Sequence, residues 1–226
     1  MNIFLDIETK PTSRKDIQER LIATVKYPTN YKSSEAIAKW WAENGEAQKA
    51  AAVGETALNG LWGEICCIGW AIEDGPVMVT LAITERDTLS LWAKDFLEAM
   101  RGFLPDGGFP QWDSRATWIG HNVQDFDLKF LWQRLVVQNL HLGFRLPLDR
   151  YPRGPWLYDT MKEWAGYGKY VKQTDLELAL NLTRDDPLKN GGADIATADI
   201  TDICTHCSED VRLLREIHKR MVTPCA

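Results

Sequence analysis

The sequence predicts an α/β fold built on a sheet of mixed strand direction. Short apolar, β-rich runs are interspersed with stretches of helical periodicity. Two of the runs, "GEICCIGWAIED" and "GPVMVTLAIT", are joined through Asp74-Gly75-Pro76, a turn that makes them hairpin partners. The order strand, long insertion, two strands, helix, strand, then helices departs from the regular alternation of a doubly wound sheet.

The first strand is "NIFLDIE" (2–8). About fifty residues follow it, ending near Trp62. They contain a helix over "SSEAIAKWWAENGE", with Ser33 or Ser34 as cap and Glu35 in its first turn, and a second helical stretch, "AQKAAAVGETALN". The hairpin comes next. "RDTLSLWAKDFLEAMRGFL" places Leu89, Trp92, Phe96, Leu97 and Met100 at helical spacing, and "PDGGFP" is a loop. "ATWIGHN" is a short strand running into the amphipathic helix "VQDFDLKFLWQRLVVQNL". The proline-rich "RLPLDRYPRGPW" is loop, "YDTMKEWAGYG" and "TDLELALNL" are short helices, and "TRDDPLKNGGAD" is loop. "ITDICTHCSEDVRLLREIHKRMV" closes the chain as a long helix. There is no internal repeat. The reading is one domain over residues 1–226, with 10–62 as an insertion or subdomain within it.

Composition is that of an ordinary globular protein, 45% hydrophobic and 26% charged. A net charge of −6 argues against a broadly basic surface that coats nucleic acid. It leaves a nuclease open, because metal-binding acids themselves lower the charge. No apolar run is long enough for a bilayer and the N-terminus lacks a signal pattern, so the expected location is cytoplasmic, with no membrane partner. Five cysteines, two of them adjacent at Cys66-Cys67, fit reduced thiols better than a disulfide framework. Cys204-x-x-Cys207 has no second pair at zinc-site spacing, and helix packing accounts for it better. Ten tryptophans are many for this length; core packing, or a homo-oligomer interface, would use them.

The chemistry is in the acids. Asp6 and Glu8 are two apart on a strand and project from one face, an arrangement that demands a cation. Further ligands are expected where a strand ends or a helix faces the sheet. In "WIGHNVQDFDLKFL", Gly120 permits a close backbone approach, and Asp125 and Asp127 fall in the first turn of the following helix. Only one of them can face the sheet, and Asp127, on the face of Leu131, is the choice; two ordinary helix-start acids are the alternative. In the closing helix, Asp210 precedes the apolar Val211, Leu213, Leu214 and Ile217, and His206 lies four residues before it on the same face. A salt-bridged surface pair is the competing account. Glu209 is expected to face solvent.

Together these segments resemble the DEDD superfamily of 3′–5′ exonucleases. "DIE" is similar to the strand motif D-x-E, "HNVQDFD" to an Asn followed by an aromatic-Asp pair, and "HCSED" to a late helix carrying a general base and an Asp. The resemblance covers roughly residues 1–9 and 63–220. It departs from the family at two points. His206 stands four residues before Asp210, where the family's Tyr branch has its Tyr and its His branch has His at five. The insertion at 10–62 is longer than expected, and is similar to insertions of compact exonucleases associated with phage or antiphage-defence loci.

The resemblance implies an RNase H-like mixed sheet flanked by helices, and two divalent cations, Mg²⁺ or Mn²⁺, held by Asp6, Glu8, Asp127 and Asp210. His206 is then the general base, Ile7, Thr9 and Asn122 lie against the terminal nucleotide, and Asp159 in "LYDT" is a cap or support. The substrate is a nucleic-acid 3′ end, DNA favoured over RNA, releasing nucleoside 5′-monophosphates. "GYGKYVK" (Tyr167, Lys169, Tyr170, Lys172) and "NYKSSEAIAKWW" (Tyr31, Lys32, Lys39, Trp40) have the composition of single-strand grips, helix packing being the alternative for the second. An exoribonuclease, an endonuclease and a non-catalytic nucleic-acid-binding subunit are the competing functions.

Overall fold

The structure is a computed structural model, described for residues 1–103, 116–144, 146–148, 156–166, 168–188 and 194–223. The predicted loop "PDGGFP", most of the proline-rich loop and Tyr167 lie outside the described residues. The chain forms two compact units, Met1–Glu8 with Ile65–Ala226, and Thr9–Glu64.

The larger unit is an RNase H-like α/β fold. Among the described residues its five strands are β1 (Asn2–Lys10), β2 (Glu64–Ile72), β3 (Met78–Thr80), β4 (Thr117–Gly120) and β5 (Leu157–Asp159), in the order β3-β2-β1-β4-β5. β1 runs parallel to β4, with Ile3 beside Trp118, and β4 parallel to β5, with Gly120 beside Asp159. β2 and β3 form the antiparallel hairpin, Ile68 opposite Thr80 and Trp70 opposite Met78. β3 is only three residues long, shorter than the apolar run that predicted it.

Strand alternation divides the core. Ile3, Leu5 and Ile7 face the main cluster, which also holds Trp92 and Phe96 of helix α3 (Glu85–Arg101) and Leu128 and Leu131 of helix α4 (Asp127–Val137). Phe4 points the other way and packs with Val211 and Leu214 of the closing helix, α7 (Ile200–Val222). Two short helices, α5 (Thr160–Ala165) and α6 (Gln173–Ala179), lie between β5 and α7 in the chain. Leu89, Trp92, Phe96 and Met100 are buried as their spacing predicts, and Thr84 caps α3. Among the described residues no helix is long and apolar enough to cross a membrane.

α4 starts four residues later than predicted. Asn122 adopts a left-handed conformation at φ 63°, which Asn tolerates, and residues 123–126 are turn. Asp125 is thereby left outside the helix, exposed and paired with Lys162 at 2.9 Å.

The first turn of α3 is tied to α4 by a buried ion pair. Glu85 accepts from Arg134 Nε at 2.8 Å and Nη2 at 2.7 Å, and also from the Ile65 amide at 2.8 Å. Both side chains are 5% exposed. Replacing Arg134 with Met strands the carboxylate, and the expected loss is about 3–5 kcal/mol of stability, read from urea unfolding. Adding Glu85→Gln to that variant recovers part of the loss by removing the unpaired charge.

The smaller unit holds α1 (Lys15–Ile22), α2 (Ser34–Gly54) and a 3-10 turn at Glu55–Leu58. Ser33 caps α2 by accepting from the Ala36 amide. The first predicted stretch and the second as far as Gly54 are one helix here, because Gly45 alone does not break an alanine-rich run, and Glu55–Leu58 of the second form the 3-10 turn. α1 had no counterpart in the prediction; Ile17 and Leu21 stand at helical spacing and Ile17 is buried, but eight residues give that spacing only two turns in which to recur. Trp40 is buried and meets Trp41 edge-on at 4.9 Å, with Tyr31 nearby, so packing occupies this tryptophan.

Candidate metal and catalytic centre

Asp6 and Glu8 continue the face of β1 that begins with Phe4, the face covered by α7. The depth of α7 on that face depends on Gly69 in β2. A Cβ at Gly69 would stand 2.8 Å from Cys207 Sγ and 2.9 Å from the Cys207 carbonyl. Glycine lets the helix backbone settle onto the strand, and His206 and Asp210 come with it. His206 Nε2 lies 3.4 Å from Glu8 Oε1 and 3.2 Å from Asp210 Oδ2. The donor atoms of Glu8, His206 and Asp210 fall within 4.8 Å of one another, as do those of Asp6, Glu8 and Cys207.

Asp127 arrives from the end of the sheet. β4 ends at Gly120, where a Cβ would lie 2.4 Å from Val123 Cβ and 3.1 Å from the Leu5 carbonyl. The turn that follows delivers Asp127 as the first residue of α4, and its Oδ1 accepts the Ile7 amide at 3.1 Å. The Ile7 N–H is therefore engaged by a site carboxylate. Asp159 shapes the same turn: it caps α5 through the Met161 and Lys162 amides and also accepts from the Asn122 and Gln124 amides. Asn122 is held by its backbone in this way. Thr9 belongs to the smaller unit, where its hydroxyl donates to the Ala57 carbonyl at 2.7 Å.

The electrostatics are those of carboxylates short of positive charge. Burial, then Asp210 and Glu8, push Asp6 well above the usual carboxylate range. Burial, then Asp210, do the same to Glu8. Asp127 is pushed up to about 7, chiefly by burial, against its hydrogen bond from Ile7. Asp210 is raised by burial although Arg184 and His206 oppose the shift. Among the described residues neither Asp6 nor Glu8 pairs with a lysine or arginine. Hard oxygen donors, crowded and raised in pKa by one another, fit a divalent cation such as Mg²⁺ or Mn²⁺.

His206 is buried, at 6% exposure, so its pairing with Asp210 is not a surface salt bridge. Its Nδ1 lies within hydrogen-bond reach of the Asp186 carboxylate. Burial would raise Asp186, but the Leu188 amide, His206 and Arg184 hold it below the usual range. Arg184 bonds Glu177, Asp186 and Asp210 together, and Gln173 donates to Glu177 and to the Asp210 carbonyl. None of Asp186, Arg184, Glu177 or Gln173 was a candidate from sequence. "TRDDP" has the composition of a polar loop, and residues in a loop carry no periodicity that would assign them to a site.

Glu209 differs from expectation. It is only 14% exposed, because Arg212 and the Asp185 amide hold it. Cys207 is fully buried over Gly69 and beside Cys67, a packing position, with its thiol pushed up by its hydrogen bond to Cys67 and by burial. No protein-family model matches this chain, and no curated protein matches it in sequence.

Proposed function

We propose that this chain is a metal-dependent 3′–5′ exonuclease, acting on DNA and releasing nucleoside 5′-monophosphates from single-stranded ends. The observation that carries the reading is the convergence of Asp6, Glu8 and Asp210 on one buried face, with His206 against two of them and Asp127 at the strand end. Asp6, Glu8, Asp127 and Asp210 would hold the cations, which would supply positive charge to the scissile phosphate and acidify water. His206 accepts the proton of the attacking water at Nε2, the ring nitrogen that faces Glu8 and Asp210.

The strand end is gripped beside these acids. Tyr170 is 84% exposed, with Lys169 and Lys172 exposed around it. The segment is anchored where the Val171 carbonyl accepts from His121 Nε2 at 2.8 Å and where Gln173 reaches Asp210. An exposed aromatic flanked by lysines suits base stacking with backbone contacts.

The test uses oligonucleotides of DNA and RNA labelled at the 5′ or the 3′ end, with Mn²⁺ or with EDTA. The expected result is a DNA ladder shortening from the 3′ end, absent with EDTA. Internal cuts, or digestion of a 3′-blocked strand, would overturn the exonuclease. Shortening confined to RNA would make it an exoribonuclease, and binding without shortening a non-catalytic subunit.

A further inference from the structure

We infer that Asp186 is a positioning residue for His206, holding the imidazole as its Nδ1–H tautomer so that the Nε2 electron pair faces the carboxylate cluster. Only the kinetic consequence of this inference rests on the proposed exonuclease activity.

The geometry is over-determined on the Asp186 side. Its carboxylate is 4% exposed and receives three donors. Oδ1 accepts the Leu188 amide at 2.8 Å, while Oδ2 accepts Arg184 Nη1 at 2.9 Å and His206 Nδ1. Arg184 cannot swing away, since its other nitrogens bond Glu177 and Asp210. An ionised carboxylate only accepts, so the ring nitrogen against it must carry a proton. In a neutral imidazole the second nitrogen then carries the electron pair. That nitrogen is Nε2, beside Asp210 and Glu8.

Without Asp186 the preference is lost. Nδ1 has no acceptor, and nothing on that side of the ring holds the proton there. The nitrogen that must take up a proton during hydrolysis is then no longer kept free for it. A carboxylate behind a functional histidine commonly sets its orientation and tautomer, and removing one typically costs about 10–100-fold.

The experiment reads the tautomer directly. Protein labelled with ¹⁵N-histidine and loaded with Mg²⁺ at mildly alkaline pH has four histidines, and a His206→Gln sample identifies the signals of the third. The wild type is expected to show a protonated, pyrrole-like Nδ1 and an unprotonated, pyridine-like Nε2. Asp186→Ala should lose this pattern. Asp186→Asn, nearly the same size, should lose it too, because one amide oxygen cannot serve three donors. In both variants kcat should fall about 10–100-fold with KM unchanged, and calorimetric Mn²⁺ affinity should stay within about threefold, well short of the loss expected on deleting a ligand. A wild-type nitrogen pattern in both variants would overturn the inference. So would unchanged kcat, or a loss of Mn²⁺ affinity that accounts for the whole kinetic effect. If the wild type hydrolyses no nucleic acid, the exonuclease reading fails, and the nitrogen spectra still decide the role of Asp186.

Discussion

Asp6→Asn is expected to lower the proposed exonuclease turnover by about a thousandfold and, in the same protein, to raise the stability of the metal-free state. The two effects share one cause. Asp6 lies among Glu8, Asp210 and Asp127, each of which raises its pKa, and pairs with no lysine or arginine among the described residues. In the proposed site its charge would help hold the cations; losing several kcal/mol of charge stabilisation at about 1.4 kcal/mol per factor of ten gives the kinetic estimate. Without cations the same charge is repelled by its neighbours. The neutral amide is nearly the same shape and relieves that repulsion. The measurements are initial rates with Mn²⁺ and urea unfolding in EDTA at a pH of about 8. A variant that keeps wild-type turnover would remove Asp6 from the site. One that destabilises the metal-free protein would show that its charge is compensated.

The second large effect is on the pH dependence of the metal-free protein. Asp127 moves from 3.8 to about 7 on folding, and Asp6, Glu8 and Asp210 are raised as well. A carboxyl group with a raised folded pKa binds more protons in the native state than in the unfolded chain. Stability therefore falls as pH rises from the unfolded value through the folded one. For Asp127 that window is 3.8 to about 7. The expected loss is on the order of several kcal/mol across the cluster, at about 1.4 kcal/mol per pH unit for one group. Asp186 and Glu209 are lowered and act oppositely, their contribution disappearing as pH falls below the ordinary carboxylate range. In EDTA, unfolding midpoints should drop between about pH 5 and pH 8. Saturating Mg²⁺ or Mn²⁺ should restore stability, and more so at the higher pH, because the ions bind the ionised acids. A midpoint that rises with pH in EDTA would contradict the electrostatics of the site.

Much of this molecule follows from local pattern. The alternation of "NIFLDIE" assigns Phe4, Asp6 and Glu8 to one face and Ile3, Leu5 and Ile7 to the other, and the two core clusters divide in that way. The 3.6-residue periodicity of α3 and α7 gives their buried faces, and Ser33 marks the start of α2 by its capping hydroxyl. The choice of Asp127 over Asp125 agrees with burial: Asp127 is 3% exposed, whereas Asp125 pairs with Lys162 outside the helix. The start of α4 was not legible, because a left-handed Asn122 held by Asp159 delays it by four residues. Nor was Glu209, which a long-range amide contact draws inward.

By itself the sequence determined which side chains share a face, because strand and helix periods are properties of the local backbone. It determined in this way that Asp6 and Glu8 stand together and that His206 and Asp210 stand together. Only the tertiary structure decided that the two pairs meet, through the missing Cβ of Gly69, and that Asp186 and Arg184 stand behind them. The shortest of those contacts, Asp186 with His206, spans 20 residues, and no backbone period reaches that far.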